Sequence, residues 1–328
     1  MSYRWIIFLT LSYISNLSVA QELFPYAEAA STLAKGTGQA RLMFMNFKEQ
    51  SSNRMKYWYG LQYNYGITPL WSVGTVVGVS NHHFTSIPVD VQNYFFNHHL
   101  NSFPSAPTSI EGINVHSKYR FYTRDRHQEH LRAAVYVQGC YSFIAHDEAE
   151  PLLMTDNSGV GGGFIGTYLI KKLALSMTLG YIYPFAYTQP DIGYRFRSGN
   201  ALELSTSIGY RLWPFTYQSY QDINVNIYAE FLMKQYGRAT ISEYGSNWDF
   251  ENFRLTSPYT YNTLTENFYI DGRFYVQLIL NSNDRIDFGV NFPIVSRSFN
   301  YWYPHYMIQY TTSIFSAKRR VKLPDTSF

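Results

Sequence analysis

Ala201-Leu-Glu-Leu-Ser-Thr-Ser-Ile-Gly-Tyr-Arg-Leu212 decides the fold. Leu202, Leu204, Thr206, Ile208, Tyr210 and Leu212 share one phase of a two-residue repeat, and Glu203, Ser205, Ser207, Gly209 and Arg211 share the other. Successive side chains of a strand point to opposite faces, so this stretch is a strand with one apolar and one polar face. A soluble β-sandwich would show the same alternation. The ring content argues against it: aromatic residues are 19% of the 328-residue chain and charged residues only 15%, where soluble domains carry roughly 25% charge. A core surrounded by water cannot enclose that many rings. The pattern instead predicts one face in lipid and one in water.

The design recurs along the chain. Ile113, Val115, Tyr119 and Phe121 interleave with Asn114, His116, Lys118 and Arg120. Phe268, Ile270, Phe274, Val276, Leu278 and Leu280 are set against Asp271, Arg273, Tyr275 and Gln277. Twelve such segments are expected, near 38–47, 57–67, 70–79, 112–122, 130–143, 159–170, 173–183, 201–212, 223–234, 266–280, 285–295 and 305–315. Ten or fourteen strands are the alternatives. Most segments are long enough to cross a bilayer on a tilt, which takes about 9–11 residues. Short connections such as Thr68-Pro69 and Lys171-Lys172 alternate with longer ones, 80–111 and 235–265 among them. Outer-membrane barrels show this asymmetry, with tight periplasmic turns and long outer loops. The fold class read from the sequence is therefore all-β, a closed antiparallel transmembrane barrel. Closure is required because a free sheet edge cannot sit in hydrocarbon.

Composition excludes other classes. Mean hydropathy is −0.24, too polar for a bundle of spanning helices. The formal net charge of +3 gives no field for binding nucleic acid. A single cysteine, Cys140, permits neither an internal disulfide nor a cysteine-based zinc cage, and it falls on the inward phase. Residues 1–20 read as a secretory signal peptide, with Arg4, an apolar run from Trp5 to Ile14, and Ser18-Val-Ala20 before Gln21. The expected organisation is 1–20 signal, 21–37 an N-terminal segment that is either a periplasmic tail or a small plug in the lumen, 38–315 the barrel, and 316–328 a periplasmic tail containing Lys318-Arg-Arg-Val-Lys322.

Strand phase names the candidate lumen residues: Lys118, Arg120, Arg132, Glu203, Arg211, Glu230, Asp271, Arg273, Gln277 and Asp287. Rings at segment ends name a candidate interface girdle, since amphipathic rings favour the headgroup zone: Tyr57, Trp58, Tyr59, Trp71, Trp213, Tyr301, Trp302 and Tyr303. Arginine at Leu204 or Val276, on the lipid phase, is expected to cost roughly 2–4 kcal/mol, and at Gln277 far less.

Other motifs take plainer readings. Gly159-Val-Gly-Gly-Gly-Phe-Ile-Gly166 lacks the Gly-Lys-Ser/Thr of a phosphate loop and sits in a strand. Asn81-His-His83 and Asn97-His-His99 read as polar loop tips, and Asp147-Glu-Ala-Glu150 as a solvated acidic loop, so no metal site and no cofactor are expected. A barrel lipase needs a base and a nucleophile on one strand face, but His116 and Ser117 are adjacent and project oppositely. No catalytic residue is assigned.

Tyr63-Asn-Tyr-Gly-Ile-Thr-Pro69, Glu22-Leu-Phe-Pro-Tyr-Ala-Glu28 and Lys118-Tyr-Arg-Phe-Tyr122 resemble the outer-membrane transporter-like barrels of the phenol-degradation meta-pathway family, especially forms from Bacteroidetes. The resemblance implies a barrel in the outer membrane of a Gram-negative bacterium that helps small, often hydrophobic, compounds across. It brings no catalytic residues. The expected function is passive passage of small solutes, and the alternative is a structural or surface-interaction barrel with a closed lumen. A lipid-modifying enzyme is the third reading. Expected partners are outer-membrane lipid and lipopolysaccharide, small-molecule solutes and the barrel-assembly machinery, with no nucleic acid. An open water path through the lumen would favour passage, and a lumen sealed by side chains and residues 21–37 would favour the surface role.

Overall fold

The structure is a computed structural model that describes residues 24–48, 55–81, 108–143, 157–189, 194–216, 222–243, 267–295 and 305–315. Fifteen strands are present among these residues: β1 (Thr37–Lys48), β2 (Met55–Thr68), β3 (Trp71–Ser80), β4 (Ser109–Arg126), β5 (Glu129–Ser142), β6 (Gly159–Ile170), β7 (Leu173–Pro184), β8 (Tyr187–Gln189), β9 (Tyr194–Arg197), β10 (Ala201–Trp213), β11 (Asn224–Tyr236), β12 (Thr240–Glu243), β13 (Asn267–Leu280), β14 (Asp284–Val295) and β15 (His305–Phe315). Twelve of them form a closed barrel in the order β1-β15-β14-β13-β11-β10-β7-β6-β5-β4-β3-β2. Every pairing in it is antiparallel, and β1 bonds to both β2 and β15, so no edge is left open.

The twelve barrel strands coincide with the twelve alternating segments. The three short strands were expected to be loop: β8, β9 and β12 pair as a separate small sheet, order β12-β9-β8, beyond the long-connection end. They are too short to carry a readable two-residue repeat. The signal peptide, the C-terminal tail, the histidine-rich and acidic loops and Tyr301-Trp-Tyr303 lie outside the described residues.

The exterior is apolar in the band between the turns. Leu61, Val137, Phe164, Leu179, Ile208 and Ile308 are all exposed. On the other phase the buried set is mostly polar: Gln39, Asn64, Lys118, Thr167, Ser207, Glu230, Gln277 and Asp287. This inverts a soluble protein and is what a lipid-facing barrel requires.

β4 runs past β3 at the short-turn end. Trp71, the first residue of β3, pairs with Tyr119, whereas β4 continues to Arg126, paired with Glu129. A bulge between Arg120 and Tyr122 redirects β4 at that point.

Candidate functional site

The bore is the candidate site, and residues 24–36 occupy it. The chain enters at Gly36, whose N–H donates to the Gly66 carbonyl, and Thr32 Oγ1 donates to Pro69 O in the β2–β3 turn. It then crosses the lumen. Arg132 Nη1 of β5 donates to Ser31 Oγ at 2.8 Å, and Ala30 N donates to Thr167 Oγ1 of β6 at 2.8 Å. Ser176 Oγ of β7 donates to Glu28 O at 2.6 Å. Ala27 N donates to Glu230 of β11 at 3.2 Å, and Gln309 Nε2 of β15 donates to Pro25 O at 3.2 Å. Two walls of the barrel are thereby joined through one strap of backbone.

Local sequence makes the strap possible. Ala27, Ala29 and Ala30 are small and almost wholly buried, which lets the backbone approach the wall. Gly66 matters for the same reason: a Cβ there would collide with the carbonyls of Ala34 and Leu33. At the far end Phe24 packs edge-on against Tyr228, ring centroids 5.7 Å apart, in an apolar cluster with Tyr275 and Met307. The Arg273 guanidinium lies over the Tyr26 ring, 3.3 Å from its centroid, a cation–π contact.

The described part of the segment 21–37 is hydrogen-bonded to the inner wall. Strand periodicity could not decide this, because the stretch has none. The usable signal was the run of small residues after an aromatic pair.

All ten lumen candidates lie on the inward phase, but they do not form one set. On β10, β11, β13 and β14 many of the polar groups are bonded to one another. Gln277 accepts from Asn226 Nδ2 at 2.9 Å and Tyr228 OH at 3.2 Å and donates to Asp287 at 2.8 Å. Arg285 Nε pairs with Asp287 at 3.0 Å, and Lys234 with Glu203 at 3.6 Å. Ser207 Oγ donates to Glu230 at 3.0 Å, and Asp271 is buried in the same wall. Arg211 lies nearer the short-turn end of β10, half-buried. Arg285, two residues before Asp287 on β14, shares its inward phase and is buried with it.

The wall of β1 to β5 is cationic. Lys118 Nζ meets Glu28 Oε2 at 2.9 Å and also donates to Ala29 O at 2.7 Å. Arg120 donates to Pro69 O at 2.9 Å, and Arg132 pairs with Asp125 at 3.1 Å at the rim. Arg41 is buried on the same wall. Burial by itself would raise the Glu28 carboxyl. Lys118, His116 and Arg41 more than offset that, and the group is held down at about 2.

One girdle residue is corrected. Trp58 is buried inside the barrel, where Nε1 donates to Glu111 Oε2 at 2.8 Å. The pleat gives the reason: Tyr59 is exposed, so the residue before it must point inward. Tyr57 stacks on Phe44, and Trp71 and Trp213 are exposed. Trp71 Nε1 donates to Ser117 Oγ at 2.8 Å, outside the barrel, while His116 crowds Gly74 inside. These two residues cannot exchange a proton.

No protein-family model matches the chain, and no curated protein matches it. Solved structures do. An outer membrane channel from Pseudomonas putida F1 is similar at TM-score 0.53 and 10% identity, over 89% of this chain and 100% of that one. The NanC porin aligns at TM-score 0.42 and 10% identity, over 83% and 98%. Outer membrane phospholipase A from Escherichia coli aligns at TM-score 0.37 and 10% identity, over 90% and 95%. At these identities the likeness is one of fold, and the first of the three carries it.

Proposed function

We propose that this chain is a passive passage for small polar solutes across the outer membrane of a Gram-negative bacterium, with residues 24–36 closing the bore at rest. One observation carries the reading: a strap of backbone lies across a polar lumen, held by side-chain hydrogen bonds, one ion pair and a small apolar cluster. Such contacts are reversible without unfolding the wall. Twelve strands enclose more space than their own side chains fill, which is why an extra element fits inside. The short turns then face the periplasm, and lipid, lipopolysaccharide and the assembly machinery are the partners implied. The polar wall favours hydrophilic solutes over the hydrophobic ones that the phenol-degradation resemblance implies. An origin among Bacteroidetes is proposed on that resemblance alone.

The same closure favours a second reading, a structural or surface barrel whose lumen never opens. Planar-bilayer conductance of the full chain and of a chain lacking residues 24–34 separates the two. The passage reading expects small or intermittent currents from the full chain and a larger, steady conductance from the shortened one. A shortened chain that is folded yet does not conduct would hand the function to the second reading.

A further inference from the structure

We propose that Glu28 is a tethered carboxylate seated on an anion subsite of the bore, and that the solutes taken are small carboxylates that replace it on Lys118. The inference rests on the passage reading and adds a solute class to it.

The argument starts from the unequal walls. On β10, β11, β13 and β14 the bore carries carboxylates and cations together: Lys234 pairs with Glu203 and Arg285 with Asp287, while Glu230 accepts from Ser207. There the carboxylates Glu203, Glu230, Asp271 and Asp287 match the cations Arg211, Lys234, Arg273 and Arg285, so that wall offers an anion no net charge. On β1 to β7, among the described residues, the bore-facing positions above the short-turn rim hold one carboxylate, Glu111, and it accepts from Trp58. The cations on this side are arranged along the axis. Lys56 lies toward the long-connection end, in the register of Phe47 on β1. Arg41 comes next, opposite Gln62, and Lys118 follows beside Ser72, close to the short turns. Arg120 and Arg132 complete the series at the rim.

The strap brings its own carboxylate to this series. Glu28 Oε2 takes a charge-assisted hydrogen bond from Lys118, itself buried in the wall, and the same ammonium holds the next backbone carbonyl, Ala29 O. Displacing the strap removes both acceptors from Lys118 at once. The ammonium then faces the wet bore, where an incoming carboxylate restores the charge-assisted bond that water replaces only with a neutral acceptor. A neutral solute cannot supply that charge. The lumen thus prefers carboxylates because they restore the ion pair on Lys118, in the way charged wall groups tune selectivity in other pores.

The test uses the full chain in planar bilayers under a potassium chloride gradient, with Glu28→Gln, Lys118→Gln and Glu28→Asp variants. Folding of each is checked by heat-modifiable mobility on gels. The Glu28→Gln channel should open more often than wild type and show a several-fold preference for chloride over potassium. Sodium gluconate added to it should block chloride current, and sorbitol of matched size should not. The double change Glu28→Gln with Lys118→Gln should lose both the preference and the block, while Glu28→Asp stays near wild type. Conducting channels with cation preference, or with a preference indifferent to Lys118, would overturn the subsite and leave passage standing. Folded protein that conducts in none of these forms, nor when shortened by residues 24–34, would remove the passage reading and the subsite together.

Discussion

Gly66 shows how much a single missing methyl can decide. The strap passes directly over it, and an added Cβ would run into the backbone carbonyls of Leu33 and Ala34, which have no rotamer to escape with. Gly66→Ala should therefore lift the strap at its root, raising bilayer conductance and costing about 1–3 kcal/mol as overpacking. Gly166→Ala is the matched control, because nothing lies within 4 Å of its added Cβ. Its conductance and thermal midpoint should stay at the wild-type values. Trp58 gives a second test at this scale. Its indole N–H serves the buried Glu111 carboxylate, so Trp58→Phe keeps most of the packing and removes one donor from a charge that has almost no access to water. A loss of about 1–3 kcal/mol is expected in a denaturant titration, and Tyr59→Phe, on the exposed face, should be close to silent.

Elements were far more legible in the sequence than the site was. Each barrel strand announces itself through the two-residue repeat, because lipid on one side and water on the other impose opposite demands on alternate residues. Phase fails where that demand lapses. Trp58 was assigned to the interface because rings cluster around it, although its neighbour Tyr59 already fixed it inward. The strap has no repeat, since both of its faces meet protein, and only its small residues hinted at its position. Nor does phase report crowding. Gln277 is inward as expected, but it is fully buried and bonded to Asn226, Tyr228 and Asp287, so the expectation that arginine is tolerated there does not survive. The lipid-face rule is better tested against Gln138, a bore-facing and only half-buried residue of β5. Val276→Arg on β13 should cost roughly 2–4 kcal/mol at mid-bilayer depth, and Gln138→Arg under about 1 kcal/mol, read from unfolding midpoints in detergent or lipid. Equal costs would mean that the faces are misassigned.

For the whole molecule, the question is what opens a barrel whose strap is bonded to opposite walls. Protonation is one candidate trigger. Lys118 and His116 of β4, Arg41 of β1 and Tyr136 of β5 face Glu28 from the surrounding wall. Burial raises its carboxyl, but the cations win and hold it at about 2, below its ordinary value of 4.5. A carboxyl depressed in the folded state contributes stability in full above its unfolded value and loses it as the pH falls through the folded one. The Glu28 tether is therefore complete at neutral pH, weakens only below about 4.5, and is gone near 2. Mild acidification to pH 5 should leave the Glu28–Lys118 pair intact, and the rise in conductance that depends on Glu28 should appear only at strongly acidic pH. In Glu28→Gln that acid step should vanish, because the tether is already absent at neutral pH. Conductance recorded across this range for both proteins settles the matter: an acid step of equal size in wild type and Glu28→Gln would show that the step belongs to another of the strap's ties, such as Ala27 N to Glu230. If the step does follow Glu28, ordinary changes of environmental pH cannot release the Lys118 tether, and the force that displaces Glu28 must come from a solute competing for the same cation.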